Sequence, residues 1–447
     1  MFIRRKIENK LNEWLDSKYA LLVYGARQVG KTYTIRHFLN DNFNSYYYLN
    51  FHENVNAIKT LIASKDIDDF LLRLTFLNSK ADLKEDTCIF IDEIQEYYTY
   101  LEKHQDIDTY FDIISEAKYI VNDTGHRFVM SGSLLRLELN DLITNPMGYV
   151  LPIEMYPLDF EEFLWANHIN EDIIRIVKKA YTDKTEVPDY IHQSFIELFK
   201  KYLLVGGMPQ SVSEFIDKNS FMAVENAHKT IEYFIREDIT KYANDNEKLK
   251  IKEIYNLIPT ELSNLSRRFI ISDIPEHKKN QNEQLSFSRL NSAGITIPVY
   301  CANNPVIPLK ISSVRNKLKL FHEDVGILTY LLFDYETKGK ILTDEVEINY
   351  GPLYENAVAQ NLYAHGYYNL FYFNSKKLGE VDFLIEKNQK VLPIEVKSGK
   401  NYFTHRALNN ILNEKNYKLE SSIVLTNENT KTDGKITYYP VYMVMFI

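Results

Sequence analysis

The sequence predicts an α/β protein built from several domains. Up to about residue 150, short apolar runs alternate with longer helical stretches, which is the pattern of a parallel sheet with helices between its strands. The segment from Leu158 to about Lys241 is almost entirely helical in pattern, and strand-like runs and helices alternate again from Tyr354 onward. A chain of 447 residues is too long for one ordinary hydrophobic core, so we expect two to four domains.

Apolar periodicity places the individual elements. In the first region it predicts strands at 20–24, 46–50, 88–91 and 128–131, with helices such as 32–39 and 67–77 between them. The middle region reads as helices at 160–165, 172–180, 191–204 and 223–242, interrupted by the break Gly206-Gly207-Met208-Pro209. Short helices, an alternating run at 296–301 and a run at 317–332 then suggest a small winged-helix unit. After a helix from Tyr354, strands are predicted at 370–373, 380–385, 391–396 and 422–426, with a helix before the last.

Composition and charge narrow the class of protein. Apolar residues make up 45% and charged residues 25%, as in ordinary globular domains, and no apolar run is long enough to span a membrane. The only cysteines, Cys88 and Cys301, exclude a disulfide framework and suit a reducing cytoplasm. With a net charge of −9, the chain needs a local basic patch to bind DNA.

Residues 25–32 read G-A-R-Q-V-G-K-T and directly follow an apolar run. This spacing is typical of a phosphate-binding loop, in which backbone N–H groups and a helix N-terminus face the phosphates. In such a loop the lysine reaches the β- and γ-phosphates and the threonine hydroxyl holds Mg²⁺. We predict that ATP is bound by Gly25, Ala26, Arg27, Gln28, Val29, Gly30, Lys31 and Thr32. The alternative is a glycine-rich turn formed by chance.

A second motif supports the first. Residues 87–93 read T-C-I-F-I-D-E, a buried strand ending in two carboxylates. In P-loop enzymes such a strand lies beside the P-loop strand, so we expect Asp92 to hold Mg²⁺ and Glu93 to polarise the attacking water. An ordinary strand ending in two exposed acids is the alternative.

The C-terminal region carries a carboxylate–lysine pattern. G-E-V-D-F at 379–383 and L-P-I-E-V-K-S-G at 392–399 leave twelve residues between Asp382 and Glu395, with Lys397 on the same strand face as Glu395. Asp382, Glu395 and the helical Glu355 are predicted to chelate Mg²⁺, while Lys397 activates a water or stabilises a phosphodiester under attack. Two edge strands with solvated charges remain the alternative.

A basic segment lies between the two sites. From Ser263 to Leu320 there are nine Lys or Arg and three Asp or Glu, a local charge of +6. We predict that residues 263–320, together with the C-terminal domain, contact DNA. A solvated charged surface explains the same composition.

These stretches together resemble a prokaryotic family of AAA+ superfamily ATPases that carry a C-terminal half long described as a domain of unknown function. The resemblance rests on G-A-R-Q-V-G-K-T, C-I-F-I-D-E-I-Q, S-G-S-L, Y-P-L-D-F-E-E-F-L, Y-L-L-V-G-G-M-P, G-E-V-D-F and P-I-E-V-K-S-G. It implies an AAA+ P-loop core at 1–155, a helical lid-like region at 156–245, a winged-helix-like region at 246–335 and a nuclease-like domain at 336–447, similar to the restriction-endonuclease fold of PD-(D/E)xK enzymes.

Two further residues follow from the AAA+ arrangement. A polar side chain on the strand between the two motif strands senses the γ-phosphate, and Ser131 or Ser133 is placed to do so; a plain strand-to-helix turn is the alternative. Family members usually carry an Arg ahead of the Tyr-Pro-Leu stretch, where this chain has Gly148-Tyr149. Arg136 is a candidate substitute, and the change argues against fast hydrolysis.

The favoured function at this point is a cytoplasmic ATPase whose nucleotide state controls a Mg²⁺-dependent, nuclease-like domain acting on DNA. A regulatory switch whose C-terminal domain binds nucleic acid or a partner without cutting is the first rival. An ATPase that remodels protein partners is the second. The oligomeric state, monomer or homo-oligomer, stays open.

Overall fold

The computed structural model describes residues 2–447 apart from 78–82, 84–86, 105–106, 108, 134–147, 242–244, 265–268, 271–286, 288, 344, 347 and 400. The chain forms two compact units. The first consists of Arg4–Tyr156 with Ser292–Gly294, and the second of Met1–Ile3, Pro157–Asn291 and Ile295–Ile447. Within the described part of the chain, no helix combines the length and apolar character needed to cross a membrane.

The first unit is built on a five-stranded sheet. Its strands are β1 (Ala20–Gly25), β2 (Tyr46–Asn50), β3 (Cys88–Asp92), β4 (Arg127–Ser133) and β5 (Val150–Glu154), in the order β2-β3-β4-β1-β5. All neighbouring pairs are parallel, and the inward-facing side chains of the strands are buried under flanking helices. The helices are α1 (Ile7–Leu15), α2 (Lys31–Asn42), α3 (Val55–Ile62), α4 (Ile67–Leu77), α5 (Gln95–Lys103) and α6 (Ile113–Thr124).

The predicted strands of this unit are present, and one expectation about their order is wrong. β4 pairs with β1 on one side and with β3 on the other, so the strand bearing Asp92 does not lie directly beside the P-loop strand. The expectation of a polar strand between the two motif strands is confirmed. The prediction missed β5, in which Pro152, a residue unfavourable inside a sheet, interrupts the apolar residues.

The second unit begins with a helical region. Its helices are α7 (Phe160–Ala166), α8 (Glu171–Asp183), α9 (Asp189–Val205), α10 (Pro209–Lys218), α11 (Phe221–Lys241) and α12 (Asp245–Ser263). Sequence signals explain several of their ends. Asp159 caps α7 in a capping box with Glu162, and Pro209 opens α10 at its first position, where a missing N–H costs nothing.

A nine-stranded mixed sheet forms the rest of this unit. Its strands are β6 (Phe269–Ile270), β7 (Thr296–Ala302), β8 (Ser313–His322), β9 (Leu370–Ser375), β10 (Gly379–Lys387), β11 (Lys390–Val396), β12 (Ser422–Thr426), β13 (Lys431–Asp433) and β14 (Ile436–Pro440). Their order is β13-β14-β12-β11-β10-β9-β7-β8-β6. The associated helices are α13 (Val325–Leu332), α14 (Tyr335–Leu342), α15 (Gly351–Ala364) and α16 (Arg406–Asn413), with 3₁₀ turns at Leu309–Ser312 and Val441–Phe446.

This sheet differs from the predicted division of the chain. The strands expected to form a separate winged-helix unit instead extend the C-terminal sheet, because β7 pairs in parallel with β9 across the predicted boundary at 335/336. The predicted run 317–332 also divides into the end of β8 and the helix α13. β10 and β11 lie in the middle of the sheet, which excludes the alternative of two solvated edge strands.

The Gly206-Gly207 break joins three separate stretches of the second unit. The Gly207 N–H donates to Asp324 Oδ2 at 2.6 Å, and its carbonyl accepts from the Leu158 N–H at 2.7 Å. Gly206 has a φ of 74°, and a Cβ built on it would lie 2.2 Å from Asp324 Oδ1. These glycines are therefore required by close backbone packing.

We expect Gly207→Ala to destabilise the second unit by about 3 kcal/mol, because its Cβ would lie 2.1 Å from the Leu158 carbonyl oxygen. Gly339→Ala is the matched control, since an added Cβ meets nothing within 4 Å in helix α14 and removes backbone freedom from the unfolded chain. Denaturant unfolding of both variants measures the difference. Equal midpoints for the two variants would contradict the packing argument.

Candidate functional site

The phosphate-binding loop connects β1 to α2 in the first unit. Gly25 has a φ of 148° and Gly30 a φ of 95°, values that side chains disfavour, and Gly30 stands at the N-terminus of α2. A Cβ on Gly25 would lie 2.1 Å from the Met155 carbonyl oxygen, so this glycine is also required by the chain that follows β5. The loop geometry therefore agrees with the predicted strand–loop–helix context.

Lys31 begins helix α2 and is almost fully buried. Its Nζ donates to the carbonyl oxygens of Gly25, at 3.0 Å, and Ala26, at 2.7 Å. These contacts hold the ammonium group over the loop itself. A lysine in this position has a short distance to travel to a phosphate cradled by the same loop.

Asp92, at the end of β3, is the centre of a buried polar cluster and is 1% exposed. Its Oδ2 accepts hydrogen bonds from the Thr32 hydroxyl at 2.8 Å and the Tyr48 hydroxyl at 3.0 Å, and Asn50 Nδ2 lies 3.4 Å away. Its Oδ1 accepts from the Ser131 hydroxyl. Burial raises the pKa of Tyr48 to about 12, so this hydroxyl stays a donor at neutral pH. Thr32 and Asp92 bring together the oxygen ligands that Mg²⁺ prefers.

Glu93 occupies an uncommon backbone conformation next to this cluster. Its φ is 57°, in the left-handed region, and its carboxylate accepts a hydrogen bond from Gln95 Nε2. The same Gln95 side chain accepts the Ser133 N–H through Oε1 at 3.2 Å. Gln95 thus connects the predicted catalytic carboxylate to the end of β4. Of the two predicted sensor serines, only Ser131 directs its hydroxyl at Asp92.

The predicted C-terminal residues converge in the second unit. Glu395 and Lys397 form an ion pair at 2.7 Å, and Asp382 Oδ2 accepts the Val396 N–H at 2.9 Å. Burial, reinforced by repulsion from Asp382, raises the pKa of Glu395 to about 7, with Lys397 and Lys319 opposing that shift. The strands β10 and β11 therefore deliver the predicted residue types to one buried place.

A residue that the prediction assigned to the surface lies in this same cluster. Lys319, on β8, has a side chain that is 0% exposed. Its Nζ lies 2.9 Å from Glu380 Oε1, 3.6 Å from Glu355 Oε2 and 3.7 Å from Asp382 Oδ1. The inclusion of Lys319 in a DNA-binding patch is therefore wrong, because it is buried under helix α15 and paired with carboxylates.

The carboxylates do not form an evident metal site. In the parts of the chain that the structure describes, no group of three or more His, Cys, Asp or Glu side chains is arranged to hold a metal ion. Lys319 instead places a positive charge among three of the acids. The predicted chelation of Mg²⁺ by Glu355, Asp382 and Glu395 does not fit this arrangement.

The structure describes only some of the remaining predicted residues. Arg136 and much of the basic segment, including Arg267, Arg268, Lys278 and Lys279, lie outside the described residues. Lys310 and Lys317 are exposed, as a DNA-contacting surface requires. Tyr149 precedes β5, and its ring lies 4.0 Å from Lys118 Nζ.

The sequence prediction gave no role in these sites to Gln95, Lys319 or Glu380, nor to Tyr48 and Asn50 beside Asp92. Gln95 had a local signal, since it follows Glu93 by two residues in D-E-I-Q. Lys319 and Glu380 had none, because their roles depend on which strands pair and on the helix that covers the sheet. Strand alternation alone places Lys319 opposite the buried Leu318 and Leu320, on a face that would be taken as solvated.

A five-stranded parallel sheet in this order, with a P-loop after β1, carboxylates at the end of β3 and a polar strand between them, defines an AAA-type P-loop ATPase domain. Comparison with known families agrees: residues 17–164 match the AAA domain family. Residues 196–337 and 350–444 match two domains of unknown function, DUF8612 and DUF4143.

Individual proteins and solved structures show similarity over most of this chain. The chain is 28% identical over 404 residues to the uncharacterized protein MJ1544 of Methanocaldococcus jannaschii, which covers 87% of this chain and 76% of that protein. The Walker-type ATPase PABY2304 of Pyrococcus abyssi is 16% identical, with a TM-score of 0.43, over 74% of this chain and 96% of that chain. The ORC1 protein of Aeropyrum pernix, solved in complex with DNA, is 14% identical, with a TM-score of 0.26, over 77% of this chain and 93% of that chain.

Proposed function

We propose that this protein is an ATP-dependent switch, in which ATP binding and slow hydrolysis in the first unit control a non-cleaving, nuclease-like second unit that binds DNA. The observation that carries the ATP part is the Asp92 cluster. Thr32, Ser131 and Asp92 come from the loop and two neighbouring strands, and their side chains meet directly. A triphosphate site needs this convergence of a P-loop hydroxyl, a carboxylate and a sensor.

Each residue has a role in this proposal. Lys31 binds the β- and γ-phosphates, and the backbone N–H groups of the loop cradle them. Thr32 and Asp92 would hold Mg²⁺, which would supply charge neutralisation for phosphoryl transfer. Glu93 accepts a proton from the attacking water, and Ser131 senses the γ-phosphate through its contact with Asp92. Tyr149, where family members usually have an arginine, supports slow turnover.

The second unit is proposed as the output of the switch. The order α15, β9, β10, β11, α16, β12, with antiparallel β9–β10–β11 and parallel β12, supports the nuclease-like fold. The exposed Lys310 and Lys317 support DNA as the target. The buried Lys319 favours binding without cleavage over the Mg²⁺-dependent cutting that the residue pattern alone predicts. The reducing cytoplasm is the compartment that we propose.

The cleavage part is tested by incubating the full-length protein with supercoiled, linear and single-stranded DNA, with Mg²⁺ or Mn²⁺ and with or without ATP. We expect every DNA form to remain intact while binding is seen by gel shift. Cleavage that disappears in both Asp382→Ala and Lys397→Ala would contradict the proposal and establish a nuclease. Cleavage that survives in both variants indicates a contaminating enzyme, and the assay is then repeated on repurified protein.

A further inference from the structure

The C-terminal carboxylate cluster is built around a lysine. Lys319 is fully buried, and its Nζ lies within 4 Å of oxygens from Glu355, Glu380 and Asp382. An isolated buried ammonium group is strongly disfavoured unless acidic partners surround it. These three acids come from α15 and β10, which both follow the lysine in the chain, so the fold has assembled the cluster from distant segments.

The ammonium group and a divalent cation compete for the same oxygens. A Mg²⁺ or Mn²⁺ ion binds carboxylate oxygens at about 2.0–2.2 Å. An ion held by both Glu355 and Asp382 would meet the Lys319 ammonium, which lies 3.6 Å and 3.7 Å from their oxygens, at a distance of a few ångström. Like charges this close in a buried site repel each other strongly.

One acid of the cluster keeps capacity for another ligand. Glu395 is 6% exposed, and its Oε2 atom has no hydrogen-bond partner among the residues that the structure describes, whereas its Oε1 pairs with Lys397. A buried carboxylate oxygen without a partner is unusual. Asp382 reaches the strand segment that bears Glu395, because its Oδ2 accepts the N–H of the next residue, Val396, at 2.9 Å, so both carboxylates can serve one cation once the lysine charge is gone.

We propose that Lys319 is the resident cation of this cluster, and that it keeps a divalent-metal site formed by Glu355, Asp382 and Glu395 latent. The second unit then presents a nuclease-like fold in which a lysine charge replaces the metal. This inference deepens the non-cleaving part of the proposed function, but it makes no use of ATP or DNA.

The test measures Mn²⁺ binding directly. Nucleotide-free full-length protein carrying Lys31→Ala, which removes ATP-linked metal uptake, is titrated with Mn²⁺ and followed by electron paramagnetic resonance. We expect this parent to bind no Mn²⁺ at submillimolar concentration. Adding Lys319→Met, which keeps the length of the side chain without its charge, is expected to create one site per chain with at least tenfold tighter binding. Adding Asp382→Asn to that variant should abolish the site.

Lys317→Met is the matched control, because Lys317 lies on the same strand and is exposed. It should gain no site. If Lys319→Met does not fold, the double variant Lys319→Met/Glu380→Gln takes its place in the titration. This double variant removes one positive and one negative charge together. The inference would be overturned if the parent protein already binds one Mn²⁺ and if adding Asp382→Asn to that parent abolishes the binding. A folded Lys319 variant that gains no site would overturn it equally, while leaving the ATP switch untouched.

Discussion

Replacing Lys31 with alanine is expected to weaken ATP binding about 100-fold or more. The ammonium group is nearly buried and donates to the loop carbonyls of Gly25 and Ala26. A charge-assisted contact to a phosphate in such a site contributes about 3 kcal/mol, which corresponds to about 100-fold in affinity. Equilibrium binding of a fluorescent ATP analogue measures the change.

Lys18→Ala is the control, because Lys18 is exposed just before β1. It should bind ATP like the wild type. The unfolding midpoint of Lys31→Ala should stay close to that of the wild type. A loss of ATP binding can then not be attributed to a loss of folded protein. A wild-type affinity for ATP in a folded Lys31→Ala protein would contradict the assignment of the P-loop.

Replacing Glu93 with glutamine is expected to lower ATP hydrolysis by about 100-fold or more while ATP affinity stays within about threefold. A positioned carboxylate general base contributes on the order of 10²–10⁴ to a rate, and the amide cannot accept the proton. Because glutamine keeps the shape of the side chain, the contact with Gln95 and the backbone at a φ of 57° need not change.

Single-turnover measurements with excess protein make the effect visible even where wild-type turnover is slow. Glu53→Gln provides the matched control, since Glu53 is an exposed carboxylate in the same unit. If Glu93→Gln hydrolyses ATP at the wild-type rate, a residue other than Glu93 acts as the general base. A parallel loss of ATP affinity would show that Glu93 supports binding as well as chemistry.

The residues of the proposed nucleotide site could be identified from the sequence because their signals are local. The residues from Gly25 to Thr32 are contiguous, and D-E at the end of a buried run is visible without a structure. The order of the strands in the sheet could not be predicted from the sequence in the same way. β4, which begins 35 residues after the end of β3, separates β3 from β1, and no local pattern specifies that insertion.

In the C-terminal site, long-range packing matters more than local sequence signals. Asp382, Glu395 and Lys397 are close in sequence and were identified, yet the chemistry of their cluster depends on Lys319, which lies 63 residues before Asp382. The pairing of β7 with β9 brings β8 into the same sheet, and α15 then covers the lysine. Local sequence patterns carry no information on such long-range packing, and for this reason Lys319 was predicted to be a surface charge.

The central claim, that bound ATP controls the second unit, is tested most directly by DNA affinity measured in two nucleotide states. Glu93→Gln should retain ATP without hydrolysing it, so fluorescence anisotropy with labelled DNA compares the free and ATP·Mg²⁺-bound states of one protein. We predict a difference of about tenfold, within the usual range of coupling between sites, and no difference for Lys31→Ala at the same ATP concentration. Identical DNA affinity with and without bound ATP in Glu93→Gln would contradict the switch.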